Sequence, residues 1–126
     1  MKLNGVNTSE HDTISLCIEA MESQLDTIPD DGSVEGYRTA HMAISKIRRL
    51  VDECIDDPAC SATTCLYNAG LIADHCQDIT KVLGGCGNPV VQSVGCLIVT
   101  NGATIIMMLK RIGRQKRDRI MAGIQS

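Results

Sequence analysis

Hydrophobic residues recur along most of this chain at steps of three and four, the spacing of one face of an α-helix. The pattern predicts three amphipathic helices: helix A over about 9–28, helix B over about 34–56 and helix C over about 58–83. Their apolar stripes consist of Ile14, Cys17, Ile18, Met21, Leu25 and Ile28 in A, of Tyr37, Ala40, Ile44, Ile47, Val51 and Cys54 in B, and of Ala62, Cys65, Ala69, Ile72, Cys76, Ile79 and Leu83 in C. Each stripe is expected to be buried against neighbouring helices.

A fourth helix, D, is predicted over about 88–112, and it differs from the others because apolar residues fall on nearly all of its faces. Asn88 can cap this helix, and Pro89 suits its first position because that position needs no backbone N–H. A helix that is apolar all round has to be buried, so D is expected at the centre with A, B and C packed around it. Gly95 and Gly102, seven residues apart, share a face on which a neighbouring backbone can come close.

Turn signals separate these segments. The stretch 29–36 (PDDGSVEG) divides A from B, Asp57-Pro58 divides B from C, and Gly84-Gly85 ends C. Connections this short favour antiparallel neighbours. The sequence therefore predicts an all-α, single-domain four-helix bundle over 1–126, with a flexible lead-in at 1–8 and a basic C-terminal tail at 113–126.

Composition supports a helical domain with an aliphatic core. Of 126 residues 44% are hydrophobic, but the chain has no Phe or Trp and only two tyrosines, Tyr37 and Tyr67. Methionine and cysteine are expected to fill the gaps in such a core. Base-stacking platforms and aromatic cation cages are nearly excluded.

The seven cysteines are the strongest indication of compartment. In a short chain this number predicts three inter-helix disulfides with one thiol left over, and hence a secreted protein. The N-terminus (MKLNGVN) has no apolar segment typical of a signal peptide, so a cytoplasmic protein with reduced thiols is the alternative. The spacing does not fix the pairing, and the disulfide candidates are Cys17, Cys54, Cys60, Cys65, Cys76, Cys86 and Cys96.

No metal, cofactor or catalytic site is predicted. The best metal candidate is the group Cys60, Cys65, His75 and Cys76, but His75 and Cys76 are adjacent on a helix and therefore point in different directions. His11 and His41 are far from this group in sequence, and no hydrolase, P-loop or zinc-protease motif is present. We therefore expect a protein that is not an enzyme.

Charge is distributed unevenly, which points to surfaces of opposite sign. Residues 1–57 carry twelve Asp and Glu against five Lys and Arg, whereas residues 110–126 carry six Lys and Arg against one Asp. Without an aromatic platform this basic run does not indicate nucleic-acid binding. Its pairs Lys110-Arg111 and Lys116-Arg117 are typical of sites cut by secretory processing proteases, and the sequence does not show whether they are cut.

Helix D is long enough to cross a bilayer and is followed by basic residues, as a membrane anchor would be. Polar residues interrupt it, so the sequence favours a helix that is buried at rest and inserts conditionally. We predict that helix D and the basic tail contact a membrane or a partner. The predicted contact residues are Val94, Leu97, Ile98, Ile105, Met108, Lys110, Arg111, Arg114, Lys116 and Arg117.

The sequence thus favours a small, secreted, non-catalytic toxin or effector acting at a target-cell membrane or receptor. Two alternatives stay open. One is a cytoplasmic helical interaction module, either an adaptor or a homo-oligomer that pairs through a helix stripe. The other is a small lipid carrier with an aliphatic cavity.

Overall fold

Four α-helices account for almost all of the regular structure. The computed structural model describes residues 6–29, 32–56 and 60–125. The helices are α1 (Val6–Leu25), α2 (Tyr37–Ile55), α3 (Ala62–Gly84) and α4 (Pro89–Gln125), and these residues contain no β-strand. The prediction of an all-α chain with four helices is confirmed.

One aliphatic core joins all four helices. Every residue of the predicted stripes of A, B and C is buried, except Tyr37, which is half-buried. Helix α4 adds its own buried face, made of Val91, Val94, Ile98, Ile105, Leu109 and Ile112. Burial stabilises the fold by about 1.5–3 kcal/mol for each fully buried Val, Leu, Ile or Met.

The ends of α3 and α4 show local capping. Ser61 precedes α3, and its Oγ accepts a hydrogen bond from the Thr64 backbone N–H at 3.1 Å. The predicted start of this helix at Asp57-Pro58 lies outside the described residues. Asn88 caps α4 as predicted, because its Oδ1 accepts a hydrogen bond from the Val90 N–H at 2.9 Å.

All four helices depart from their predicted ends, and the largest difference is at the end of α4. Helix α1 begins at Val6 and ends at Leu25, so it includes residues 6–8 of the predicted lead-in. Helix α4 runs to Gln125, and its predicted end at 112 is wrong. The basic segment that follows is rich in Arg, Lys and Gln, which are good helix formers, so the helix continues through it despite Gly113.

Helix α4 is not central, which corrects the predicted arrangement. It packs against α3 and α1, and α2 packs against the same two helices. Only 33% of its most apolar 18-residue window is buried. Helix α4 is apolar on nearly all sides but is not buried on all sides. The apolar stripes of the other three helices pack against one another and against one side of α4, which leaves its outer side uncovered.

The closest helix contact is between α3 and α4, which run antiparallel. A Cβ on Gly95 would lie 2.9 Å from Leu83 Cβ, and one on Gly102 would overlap Cys76 Sγ. Further along α4, a Cβ on Gly113 would lie 3.1 Å from Leu66. The two glycines predicted to allow a close approach do so, and α3 is the helix that approaches them.

Candidate functional site

The most unusual surface is the exposed side of α4. We define the outer face of α4 as Val90, Ser93, Cys96, Leu97, Thr100, Ala103 and Met107, all exposed to solvent. Val90 is 71% exposed, Leu97 49% and Met107 51%. The sequence has no Asp, Glu, Lys or Arg between Lys81 and Lys110, so this face is uncharged over about 26 Å. Helices exposed to water usually carry charges on their outer side, so this one is suited to contact something less polar.

A groove runs beside this face, between α4 and α3. We call it the α3–α4 groove; its volume is about 420 Å³, and it is lined by Thr80, Gly84, Gln92, Gly95, Cys96, Val99, Thr100 and Ala103. Most of these side chains are small, so the groove is a depression in the surface that a bulky side chain can fill. A groove of small residues is a common feature of close helix–helix contacts.

The predicted contact residues fall in different environments. Val94, Ile98 and Ile105 are buried in the core, and Met108 is half-buried. Leu97 lies on the outer face, and Lys110, Arg111, Arg114 and Arg117 are exposed beyond its C-terminal end. The sequence pattern did not identify Val90, Cys96, Ala103 and Met107 as surface residues of this face. A signal was present in Ser93 and Thr100, polar residues seven apart on the side of α4 that faces away from the core.

Two of the basic residues also hold the fold together. Arg111 Nε lies 3.6 Å from Glu10 Oε2, an ion pair that links α4 to α1. Glu10 is buried, and its other carboxylate oxygen has no hydrogen-bond partner among the residues that the structure describes. Lys116 Nζ donates a hydrogen bond of 2.6 Å to the Cys60 carbonyl oxygen. The basic segment is therefore partly structural.

The predicted disulfides are not present. All seven cysteines lie within the described residues and all are free. The sulfurs of Cys60 and Cys65 are 3.9 Å apart, far beyond the length of about 2.05 Å of an S–S bond. The number of cysteines in a chain does not determine whether their sulfurs lie close enough to bond. A buried free cysteine packs as a small hydrophobic residue. Burial raises the pKa of the Cys17 thiol, and it raises that of Cys76 to about 11.

Three cysteines meet where α2 gives way to α3. The Sγ atoms of Cys54, Cys60 and Cys65 all lie within 4.8 Å of one another. Burial, together with the neighbouring thiols, raises the pKa of Cys54 and of Cys65. The structure thus joins Cys60 and Cys65 to Cys54, whereas the sequence pattern grouped them with His75 and Cys76. Spacing did not identify Cys54 as a member, because five and four intervening residues match no familiar metal motif.

Asn68 of α3 supports this cluster from inside the protein. Its side chain is buried, and its Nδ2 donates to the Leu50 carbonyl oxygen at 3.0 Å and to Cys54 Sγ at 3.5 Å. The same atom also donates to Glu53 Oε1 at 3.1 Å. The two hydrogens of this amide are therefore shared among three acceptors, one of which is a sulfur of the cluster.

The three histidines lie on separate helices, His11 on α1, His41 on α2 and His75 on α3.

No protein-family model, curated protein or solved structure matches the chain.

Proposed function

We propose that this protein is a non-enzymatic helical interaction protein that pairs with a second copy of itself through the outer face of α4. The observation that carries the proposal is an exposed helix face, uncharged over about 26 Å, with a groove of small residues beside it. Dimers with two-fold symmetry use the same patch on both subunits, so the patch has to complement itself.

The outer face of α4 meets that requirement. Successive residues of a helix turn by about 100°, which puts Val90 and Leu97 on one edge of the outer face. This edge is the one away from the groove with α3, and therefore the one toward α1. The α3–α4 groove lies on the opposite edge, at the same level as Leu97. If two copies are related by a two-fold axis parallel to α4, the Leu97 edge of each copy faces the groove edge of the other. Leu97 of each copy then enters the groove of the other.

This arrangement makes a prediction about salt. A parallel pair places both basic C-terminal segments of α4 side by side, where Arg114 and Arg117 of the two copies repel. Added salt screens exposed charges, so the dimer strengthens as ionic strength rises. Binding to an anionic partner responds in the opposite direction.

The test is the mass of Leu97→Asp compared with that of Met42→Asp. Leu97 is 49% exposed on α4 and Met42 is 52% exposed on α2, so the two substitutions place the same charge at equally exposed sites. Sedimentation velocity should show a dimer for the wild type and for Met42→Asp. Leu97→Asp should weaken the dimer about tenfold or more, because a carboxylate would be buried in the groove. A wild type that stays monomeric, or two variants that weaken it equally, refutes the proposal.

Membrane action, as a toxin or effector, is the second candidate, and one observation favours it. Helix α4 is long and apolar enough over Pro89–Gly123 to cross a bilayer, and its exposed basic residues directly follow the uncharged face. Anionic lipid attracts such residues by about 1 kcal/mol each. Vesicles rich in phosphatidylserine should then float with the protein at low salt and release it at high salt, and the Leu97→Asp variant should not bind. Neutral vesicles are the control.

A further inference from the structure

The spacing of the three clustered sulfurs suits a single bound metal ion. A metal–thiolate bond is about 2.3 Å long, so three sulfurs around one ion in a plane are about 4.0 Å apart. Cys60 Sγ and Cys65 Sγ are 3.9 Å apart, and Cys54 Sγ lies within 4.8 Å of both. An ion at the centre of a triangle with sides of 4.8 Å would be at most about 2.8 Å from each sulfur. Shifts of about 0.5 Å, which a change of side-chain torsion supplies, complete the coordination.

The backbone holds these sulfurs from two helix ends. Cys54 lies in the last turn of α2 and Cys65 in the first turn of α3, and both are buried. Cys60 precedes the Ser61 cap; the residue as a whole is half-buried, and the cluster of three sulfurs is buried. The thiols of Cys54 and Cys65 are held by the core, and Cys60 adds the third thiol from the segment before α3.

One cation, an amide donor and a helix N-terminus lie beside the cluster and offset part of the charge of three thiolates, while the Glu53 carboxylate lies behind Asn68. The Lys116 ammonium is tied to the Cys60 carbonyl oxygen at 2.6 Å, and its charge acts on Cys65. The Asn68 amide donates to Cys54 Sγ. The N-terminal end of α3, with its partial positive charge, lies beside Cys65. Such outer groups orient ligands and adjust the strength of metal binding.

We propose that Cys54, Cys60 and Cys65 form a three-thiolate binding site for one Cu(I) ion. Thiolates select soft ions such as Cu(I) and Zn²⁺. Structural Zn²⁺ takes four ligands in a tetrahedron, whereas this cluster supplies three ligand atoms within the described part of the chain. Three sulfurs satisfy the coordination of Cu(I). When the ion binds, three S–Cu bonds form and the three thiols release their protons, with no change of oxidation state.

The test is an anaerobic titration of the reduced full-length protein with Cu(I) in competition with bicinchoninate. We expect one tightly held ion per chain. The Cys60→Ser variant should bind at least about 100-fold more weakly, because it loses a direct ligand. Cys60 is the half-buried member of the cluster, so this variant keeps the core, and circular dichroism checks its folding. Lys116→Met should weaken binding by about 10-fold while one ion per chain is retained.

The matched control is Cys86→Ser/Cys96→Ser, which removes the two exposed cysteines outside the cluster. This double variant should bind Cu(I) as the wild type does. Equal affinity in Cys60→Ser and the wild type would overturn the site, as would loss of binding in the control. Tighter binding of Zn²⁺ than of Cu(I) would overturn the choice of metal.

Discussion

At the scale of the residue, the contact of Gly102 with Cys76 shows how tightly α3 and α4 are joined. Gly102 has no Cβ, and the sulfur of Cys76 lies so close that a Cβ added at Gly102 would overlap it. After the sulfur, the nearest neighbours of that Cβ would be Met21 Cε at 3.8 Å and Cys76 Cβ at 3.9 Å, both ordinary contacts. The tight fit between the two residues therefore comes from one atom, the sulfur of Cys76. The effect of a substitution at either position on stability depends on the residue at the other.

We predict that Gly102→Ala destabilises the wild type by about 1–3 kcal/mol, because overpacking forces the sulfur or the helix to move. In a Cys76→Ala background the same substitution should be neutral or stabilising by up to about 1 kcal/mol, because the sulfur is gone and alanine favours a helix over glycine by about that amount. Urea unfolding of the four proteins in this cycle measures the coupling between the two positions. Equal costs of Gly102→Ala in both backgrounds would show that the contact is not tight.

At the scale of the element, the local sequence determines where α4 starts but does not reveal where it ends. Asn88 caps it, with Oδ1 accepting from the Val90 N–H at 2.9 Å, and Pro89 occupies the first position. Sequence patterns identified this start because capping is a local interaction between neighbouring residues. They misplaced the end because the hydrophobic pattern stops at Ile112 although the helix continues through residues that favour helix without being buried.

We predict that Asn88→Ala lowers the free energy of unfolding by about 1 kcal/mol, through loss of the cap. Asn101→Ala is the matched control, because Asn101 lies within α4 and its side chain donates to the Leu97 carbonyl of the same helix. Alanine has the higher helix propensity, so this control should be neutral or slightly stabilising. Denaturant unfolding followed by circular dichroism separates the two, and equal losses would argue against the cap.

At the scale of the whole molecule, the core is built without cross-links. The buried cysteines Cys17, Cys54, Cys65 and Cys76 lie on the apolar stripes, where they fill space as small hydrophobic residues. In this structure, stability therefore rests on aliphatic packing among the four helices. Secretion, which was predicted from the cysteine count, stays a prediction.

We predict that titration of the purified protein with a thiol reagent in denaturant, without added reductant, gives seven reactive thiols per chain. The structure places all seven cysteines as free thiols. The same titration after reduction is the control and should give the same number. A count of one before reduction and seven after it would support the disulfide-linked, secreted protein that the composition favoured.

The sequence by itself determined what depends on neighbours along the chain. Stripes at helical spacing identified the buried faces of α1, α2 and α3, and capping residues identified the start of α4, because both follow from the geometry of one helix. The tertiary structure alone decided which sides of α4 meet other helices and which sulfurs meet one another. These depend on how four helices are placed in space, and no spacing within one helix encodes that placement. The outer face of α4 and the cluster of Cys54, Cys60 and Cys65 therefore became visible only in three dimensions.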